Sequence, residues 1–304
     1  MAAGGPVTDC AGDCGCWPSP LTCQVVHLRR VTTKCTGPRP EPIHGVVART
    51  EEPVRRRRPT TAPEAAVTTE VHPEDAAQIP LWNDAYGTSE VKGTGNLWGD
   101  PPVPYAETAA KLFAANGAAV VLDLPCGDGR NLPPLAAGDP ILLAGDTSLN
   151  AMAIAENVAD RAGIRAKTVF VRVDAYDTGL LDNSVDGIFC WDLLGHLTDP
   201  EAALRELYRI TRPGGHIVAN MWTMNDCQVS DPNIKEIAPK EYIDHFDFYC
   251  RFYDRDDLDT LLASVGMTAE SVEVASWWEP PHAGYRDYEH EHESLIFTIK
   301  KNGA

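Results

Sequence analysis

The chain has 304 residues, 43% of them hydrophobic, and a formal net charge of -18. That is enough apolar sequence for a proper core, and the acidic balance argues against a general binder of nucleic acid or anionic membrane. No run of 18 apolar residues is present and no apolar leader opens the chain, so a membrane span and a secretory signal are not expected and the cytoplasm is the expected compartment.

Residues 1–75 hold five of the nine cysteines, Cys10, Cys14, Cys16, Cys23 and Cys35, with many prolines and the run Arg55–Arg58. They show neither a helical nor a strand period, and that composition reads as a disordered extension. A small metal site using those cysteines with His27 is the sharper reading, but the spacing fits no zinc pattern. From residue 76 onward the pattern changes to a single domain. Strands are predicted at 118–124, 140–146, 168–173, 185–191, 216–222, 269–275 and 295–300. Between them lie helix signals. Ser148 caps a helix that runs past Asn157 toward Gly163. Asp199 with Pro200 opens the next, and Leu204, Leu207 and Tyr208 share one face. Asp254 or Asp256 opens a third, with Leu258, Leu261, Leu262 and Val265 inward and Gly266 as its stop. Such alternation predicts an α/β fold with a doubly wound, mostly parallel sheet, whose ligands bind at the carboxyl ends of the strands.

The first strand ends in "VVLDLPCGDGRN", residues 120–131. Asp123 closes an apolar run, and Gly127 and Gly129 then permit a tight turn with close backbone approach. The stretch lacks the third glycine of a dinucleotide fingerprint and the Lys-Ser/Thr of a phosphate loop. Acids rather than bases surround it, which suits a cationic ligand and hydroxyl donors.

These residues resemble the class I S-adenosylmethionine-dependent methyltransferases. "LDLPCGDGRN" is similar to their first motif, with Pro125 in place of its first glycine. "LLAGDTSLNAMAIAEN" resembles their second strand and helix, and "VRVDAYDTGLLDNSVDGIF" the segment beside the adenine. "FCWDLLGHLTDPEAALRELYRITRPGGHIVANMW" resembles the fourth strand through the fifth, and "RFYDRDDLDTLLASVGM" the helix before the last two strands. The resemblance spans residues 105–300 and implies a seven-stranded Rossmann-like sheet with the last strand antiparallel, S-adenosyl-L-methionine as cofactor, and methyl transfer to a small organic molecule. It places the donor against Asp123, Pro125, Cys126, Gly127, Gly129, Asp146, Thr147, Asp174, Ala175 and Trp191. Asp146 at a strand end would take both ribose hydroxyls. Asp174 would take the adenine amine while the Ala175 N–H meets a ring nitrogen, and Asp123 would lie near the sulfonium and amino end. Loop or cap acids and turn glycines are the ordinary alternatives. Gly214 and Gly215 read as the turn into the fifth strand.

Sulfonium chemistry leaves the protein mainly orientation and proximity to supply, and a base where the acceptor carries a proton. His196, in "WDLLGHL", is the candidate base, against an ordinary core or helix-start histidine. Asp192 is placed to orient it, to bind substrate, or to cap a helix. In "DYEHEHES", His290 and His292 share a strand face; a metal is conceivable there, but a solvated, charged edge strand is the preferred reading and no metal is expected. Residues 81–105 read as a lid whose Trp82, Tyr86, Trp98 and Tyr105 line an apolar pocket. Residues 223–252, with Tyr242, His245, Phe246, Phe248 and Tyr249, read as a substrate-side insertion, and Trp277 and Trp278 precede the last hairpin. The partner is thus a small molecule, with neither nucleic acid nor membrane; residues 76–304 carry 17 Lys and Arg against 35 Asp and Glu. A protein or peptide acceptor, or a non-catalytic nucleoside-binding protein of the same fold, stand as alternatives.

Overall fold

The computed structural model describes residues 73–91, 97–98, 101–282 and 286–303. The expectations for residues 1–72 lie outside the described residues. In chain order the elements are α1 (Pro73–Ala76), α2 (Gln78–Val91), α3 (Pro104–Ala115), β1 (Val120–Asp123), α4 (Leu132–Leu135), β2 (Ile141–Asp146), α5 (Leu149–Arg161), β3 (Thr168–Arg172), β4 (Val185–Cys190), α6 (Pro200–Ile210), β5 (Thr211–Trp222), β6 (Lys235–Ala238), β7 (Glu241–Ile243), β8 (Tyr249–Arg251), α7 (Arg255–Ser264), β9 (Ala269–Glu279) and β10 (His290–Lys300).

Seven strands form one sheet in the order β3-β2-β1-β4-β5-β10-β9, and β10 runs antiparallel to both neighbours. This is the expected doubly wound sheet. Successive strand side chains point to opposite faces. Leu122, Ile188, Ile217 and Phe297 enter a core with α6 and α7, while Val121, Phe189, Val218 and Ile296 enter a second core with α3, α4 and α5. Both faces are therefore covered, which is why the parallel strands read as continuous apolar runs. Leu207 of α6 is fully buried, and its truncation to Ala costs about 2–5 kcal/mol.

The predicted helix starts are those observed. Ser148 Oγ accepts from Ala151 N at 3.1 Å, and Asp199 Oδ1 from Ala202 N at 3.0 Å. Asp254, not Asp256, opens α7, in a reciprocal capping box with Asp257. The chain leaves that helix through Gly266 at φ +70°. Gly214, at φ +82°, makes the turn within the R-P-G-G stretch, which is itself hydrogen-bonded as the start of β5.

Four expectations change. The first part of the segment 81–105 is helical: Trp82 and Tyr86 belong to α2, which docks on the start of α5. Asn83 makes that joint, its Oδ1 accepting from Asn150 N at 3.2 Å and its carbonyl from Asn150 Nδ2 at 2.8 Å. Asp75, expected in the N-terminal extension, is buried and accepts from Thr198 N and Oγ1, so the folded unit reaches to Pro73 at least. β9 runs on to Glu279, which puts Trp277 and Trp278 inside the strand. β10 starts at His290, where His290 pairs with Glu279 and His292 with Trp277. The turn Cys227–Ser230 covers the other side, with Glu293 N donating to Asp226 Oδ2 at 3.1 Å. The histidines are thus not on a solvated edge. Residues 235–251 form a small antiparallel sheet, β6-β7-β8.

Candidate active site

The carboxyl ends of β1, β2 and β4 converge on one region. Asp123 ends β1 with its carboxylate wholly buried and neither oxygen hydrogen-bonded among the described residues. Burial, then the nearby Asp146, pushes its pKa well above the usual carboxylate range. Asp146 ends β2; its Oδ2 accepts from Gly127 N at 3.0 Å and its Oδ1 from Ser148 N at 2.8 Å. Burial raises its pKa to about 6, against the lowering effect of those N–H groups. Gly127 sits at φ +51°, and a Cβ there would lie 2.8 Å from Tyr86 Oη. Gly129, at φ +88°, serves packing instead: a Cβ would lie 2.8 Å from Ala155 Cα on α5.

Two cavities open over this region and share Trp82, Pro125, Asp146, Thr147, Leu193 and His196 in their walls. The smaller adds Asp174 and Ala175. Asp174 is half-buried, with its pKa raised by burial, and its Oδ1 accepts from Tyr176 N at 2.9 Å. The larger adds Cys126, Gly127, Trp191 and Asp192. Trp191 is stacked between Phe189 and Tyr105, and its buried indole N–H has no partner among the described residues. Of the residues expected at the donor, Asp123 and Gly129 line neither cavity.

His196 stands where the cavities meet. Its Nδ1 lies 2.7 Å from the Tyr249 carbonyl. A carbonyl only accepts, so Nδ1 holds the proton and Nε2 keeps the lone pair of the neutral ring. Burial lowers its pKa, which favours that neutral form. Trp82 and Trp222 pack edge-on against the imidazole, at 4.8 and 4.7 Å between centroids. Asp192 neither caps a helix nor bonds to His196. Its Oδ1 accepts from Asn220 Nδ2 at 2.7 Å and Trp222 Nε1 at 3.0 Å, so it fixes the indole that His196 packs against. It does so at φ +54°, a conformation that aspartate tolerates better than most residues.

Sequence reasoning missed the charged floor of the larger cavity. Arg130 Nη1 donates to Glu279 Oε2 at 3.0 Å, with Asp192 Oδ2 3.9 Å from its Nη2. Burial works against the ionised form of Glu279, but Arg130, His282 and His292 outweigh it and hold the pKa far below the usual range. Arg130 was visible in "CGDGRN" as a base beside acids; nothing in "SWWEP" singled out Glu279. Asp128 also went unassigned: its Oδ2 accepts from Leu97 N at 2.9 Å and Trp98 N at 2.8 Å, pinning that segment over the glycine loop. Trp82, Tyr86 and Trp98 line the larger cavity as expected, but Tyr105 stacks on Trp191 instead. From residues 223–252, Phe248 backs Trp82 at 3.8 Å and Tyr249 holds His196; neither lines these two cavities. Trp277 is core and Trp278 is exposed.

Residues 122–219 match the family model for a methyltransferase domain. Residues 122–219 are a methyltransferase domain, and the chain has the fold of the class I S-adenosylmethionine-dependent methyltransferases. This methyltransferase is 27% identical over 204 residues to a malonyl-[acyl-carrier protein] O-methyltransferase of Marinomonas sp., covering 65% of this chain and 68% of that one. It is 28% identical over 145 residues to a demethylmenaquinone methyltransferase of Corynebacterium urealyticum, covering 47% and 59%. In fold it is similar to the 1,6-didemethyltoxoflavin N1-methyltransferase of Burkholderia thailandensis, solved with S-adenosylhomocysteine, at 19% identity and a TM-score of 0.52, covering 77% and 92%. The family's methyl donor, S-adenosyl-L-methionine, is the cofactor. No helix among the described residues is long and apolar enough to cross a membrane.

Proposed function

We propose that this methyltransferase transfers the methyl group of S-adenosylmethionine to a small organic acceptor bound in the larger cavity, with His196 as the base. The observation that carries this reading is the position of His196: it lines both cavities, with a neutral ring whose Nδ1 is tied to a backbone carbonyl. In-line displacement needs the acceptor atom, the methyl and the sulfur in one row, and a base beside the acceptor.

In this reading the nucleoside occupies the smaller cavity. Asp146 takes the ribose hydroxyls, Asp174 the adenine amine, and the Ala175 N–H a ring nitrogen. Pro125, Cys126, Gly127, Thr147 and Trp191 surround the sulfonium end. Asp123 lies beneath it as a buried acid, and the positive charge of the sulfonium favours its ionised form. Gly129 acts at one remove, by letting α5 pack close. Trp82, Trp98 and Trp222 give the acceptor an apolar wall, as a small organic molecule requires. The acidic balance of the domain favours such an acceptor over nucleic acid.

The test is methyl transfer from isotopically labelled donor to a library of small hydroxyl, amine and thiol compounds. Label recovered in a small molecule, and lost with His196→Ala, supports the reading. Label found only in protein or RNA, or a bound donor with no turnover on any acceptor, overturns it.

A further inference from the structure

Beyond the methyl-transfer chemistry, the outer end of the β9–β10 pair holds a cluster of histidines. His290 is 2% exposed and His282 3%. The His290 Nδ1–H donates to the Tyr288 carbonyl at 2.9 Å, which leaves the lone pair on Nε2. That Nε2 is buried and has no hydrogen-bond partner among the described residues. His282 has the complementary arrangement. Its Nε2–H donates to Glu279 Oε2 at 2.9 Å, and its buried Nδ1 is the atom without a partner among the described residues. The two rings lie 4.9 Å apart, inclined at 72°. A buried polar atom left unpaired costs about 1–3 kcal/mol. Two adjoining imidazole lone pairs, each with its opposite nitrogen tied to an oxygen acceptor, is how proteins orient histidines toward a metal ion.

A third donor is at hand. Ligand atoms of Cys227, His290 and His292 lie within 4.8 Å of one another, and so do those of Glu279, His282 and His290; His290 is common to both groups. Glu279 already accepts from Arg130, Trp277 Nε1 and His282. His292 is tied through Nδ1 to Asp226 Oδ2 at 2.9 Å. Cys227 Sγ remains, accepting from Arg286 Nη1 at 3.5 Å. The other charges facing the site are paired, Arg130 with Glu279 and His292 with Asp226.

We propose that His282 Nδ1, His290 Nε2 and Cys227 Sγ bind one divalent transition-metal ion of the zinc class beside the acceptor end of the larger cavity. Two imidazoles and a thiolate are a zinc-type donor set, and three protein ligands leave a fourth position for water or acceptor. Cys227 and His282 each group with His290 but not with each other, so zinc–ligand bonds of about 2.0–2.3 Å require those two side chains to close in on His290. His282 lines the larger cavity, so a metal held there lies beside it.

The test is titration of the full chain with Co²⁺, and with Zn²⁺ against a chromophoric chelator. A second full-length chain carries Ser at Cys10, Cys14, Cys16, Cys23 and Cys35, which removes the other cysteine-rich segment from the count. The expected result for both chains includes one tight equivalent at this site, with the visible bands of tetrahedral cobalt and a thiolate-to-cobalt band in the near ultraviolet. Cys227→Ser abolishes the thiolate band in the five-Ser chain while cobalt still binds. His290→Gln and His282→Gln, checked for folding by circular dichroism, weaken zinc binding about 100-fold or more. No saturable equivalent in the five-Ser chain overturns the proposal. So does a thiolate band that survives Cys227→Ser there, or unchanged zinc affinity in the folded histidine variants. Should both histidine variants fail to fold, the binding and spectra of the five-Ser chain and its Cys227→Ser derivative decide.

Discussion

Arg130 and Glu279 are 149 positions apart in the chain and 3.0 Å apart in space. Their ion pair ties the loop after β1 to the end of β9, and both side chains are nearly inaccessible, at 9% and 7% exposure. A buried pair of this kind adds little over a well-packed apolar pair, but breaking it strands a charge. Arg130→Met therefore lowers the unfolding free energy by about 3–5 kcal/mol. Arg130→Met with Glu279→Gln recovers part of that loss, because the stranded charge is gone. Urea denaturation of the two variants measures the coupling; equal losses show that the pair does not stabilise the fold.

Asp146 governs donor affinity. Asp146→Ala weakens S-adenosylmethionine binding by about 2 kcal/mol or more, since it removes a charged acceptor. The pH dependence follows from its pKa of about 6, raised by burial above the usual carboxylate value. The folded chain holds this proton more tightly than the unfolded one, so between about pH 4 and 6 the group's contribution to stability falls as pH rises. Donor affinity runs the other way, because the ionised carboxylate is the better acceptor. Below pH 6 it drops by on the order of tenfold per pH unit in wild type and not in Asp146→Ala. Calorimetry across pH 5–8 checks both; a flat wild-type profile removes Asp146 from the ribose.

His196→Ala lowers kcat by about 10²-fold or more, the scale of a positioned base, while donor affinity barely changes. Burial lowers the pKa of this histidine, so the neutral base is lost only as pH falls through a value below 6.5. The acidic limb of the kcat profile lies there in wild type and disappears in the variant. Wild-type turnover with an unchanged profile in His196→Ala makes the residue structural.

Gly129→Ala destabilises by about 2–4 kcal/mol, through a strained positive φ and a Cβ driven into the backbone of Ala155. Thermal unfolding reads this directly. A melting temperature within a degree of wild type shows that α5 can retreat at no cost.

Removal of residues 1–64 leaves a chain of residues 65–304, which holds every described element. Its melting temperature and donor affinity match the full chain within about 0.5 kcal/mol, since the removed composition has little with which to build a core. A larger loss in either measurement assigns that segment a part in the folded domain.

Features decided within a few residues were legible in the sequence. Ser148, Asp199 and Asp254 cap their helices with their own side chains, and the apolar runs of β1, β2, β4 and β5 follow from burial on both faces. The acids at strand ends were legible for the same reason: a doubly wound sheet opens its crevice there whatever surrounds it. Features decided by a partner far along the chain were not. The alternating charge of residues 289–293 reads the same on an edge strand as on one covered by a turn that carries Asp226. α2 was hidden because its helical state rests on docking, through Asn83, onto α5 rather than on an apolar stripe of its own. The tautomer of His196 is set by a carbonyl 53 residues away, and the charge of Glu279 by a guanidinium 149 residues away. Hydrophobic burial acts on each residue by its own chemistry, so the sequence alone carries it. A hydrogen bond or ion pair needs two groups at about 3 Å, and only the folded chain sets that distance.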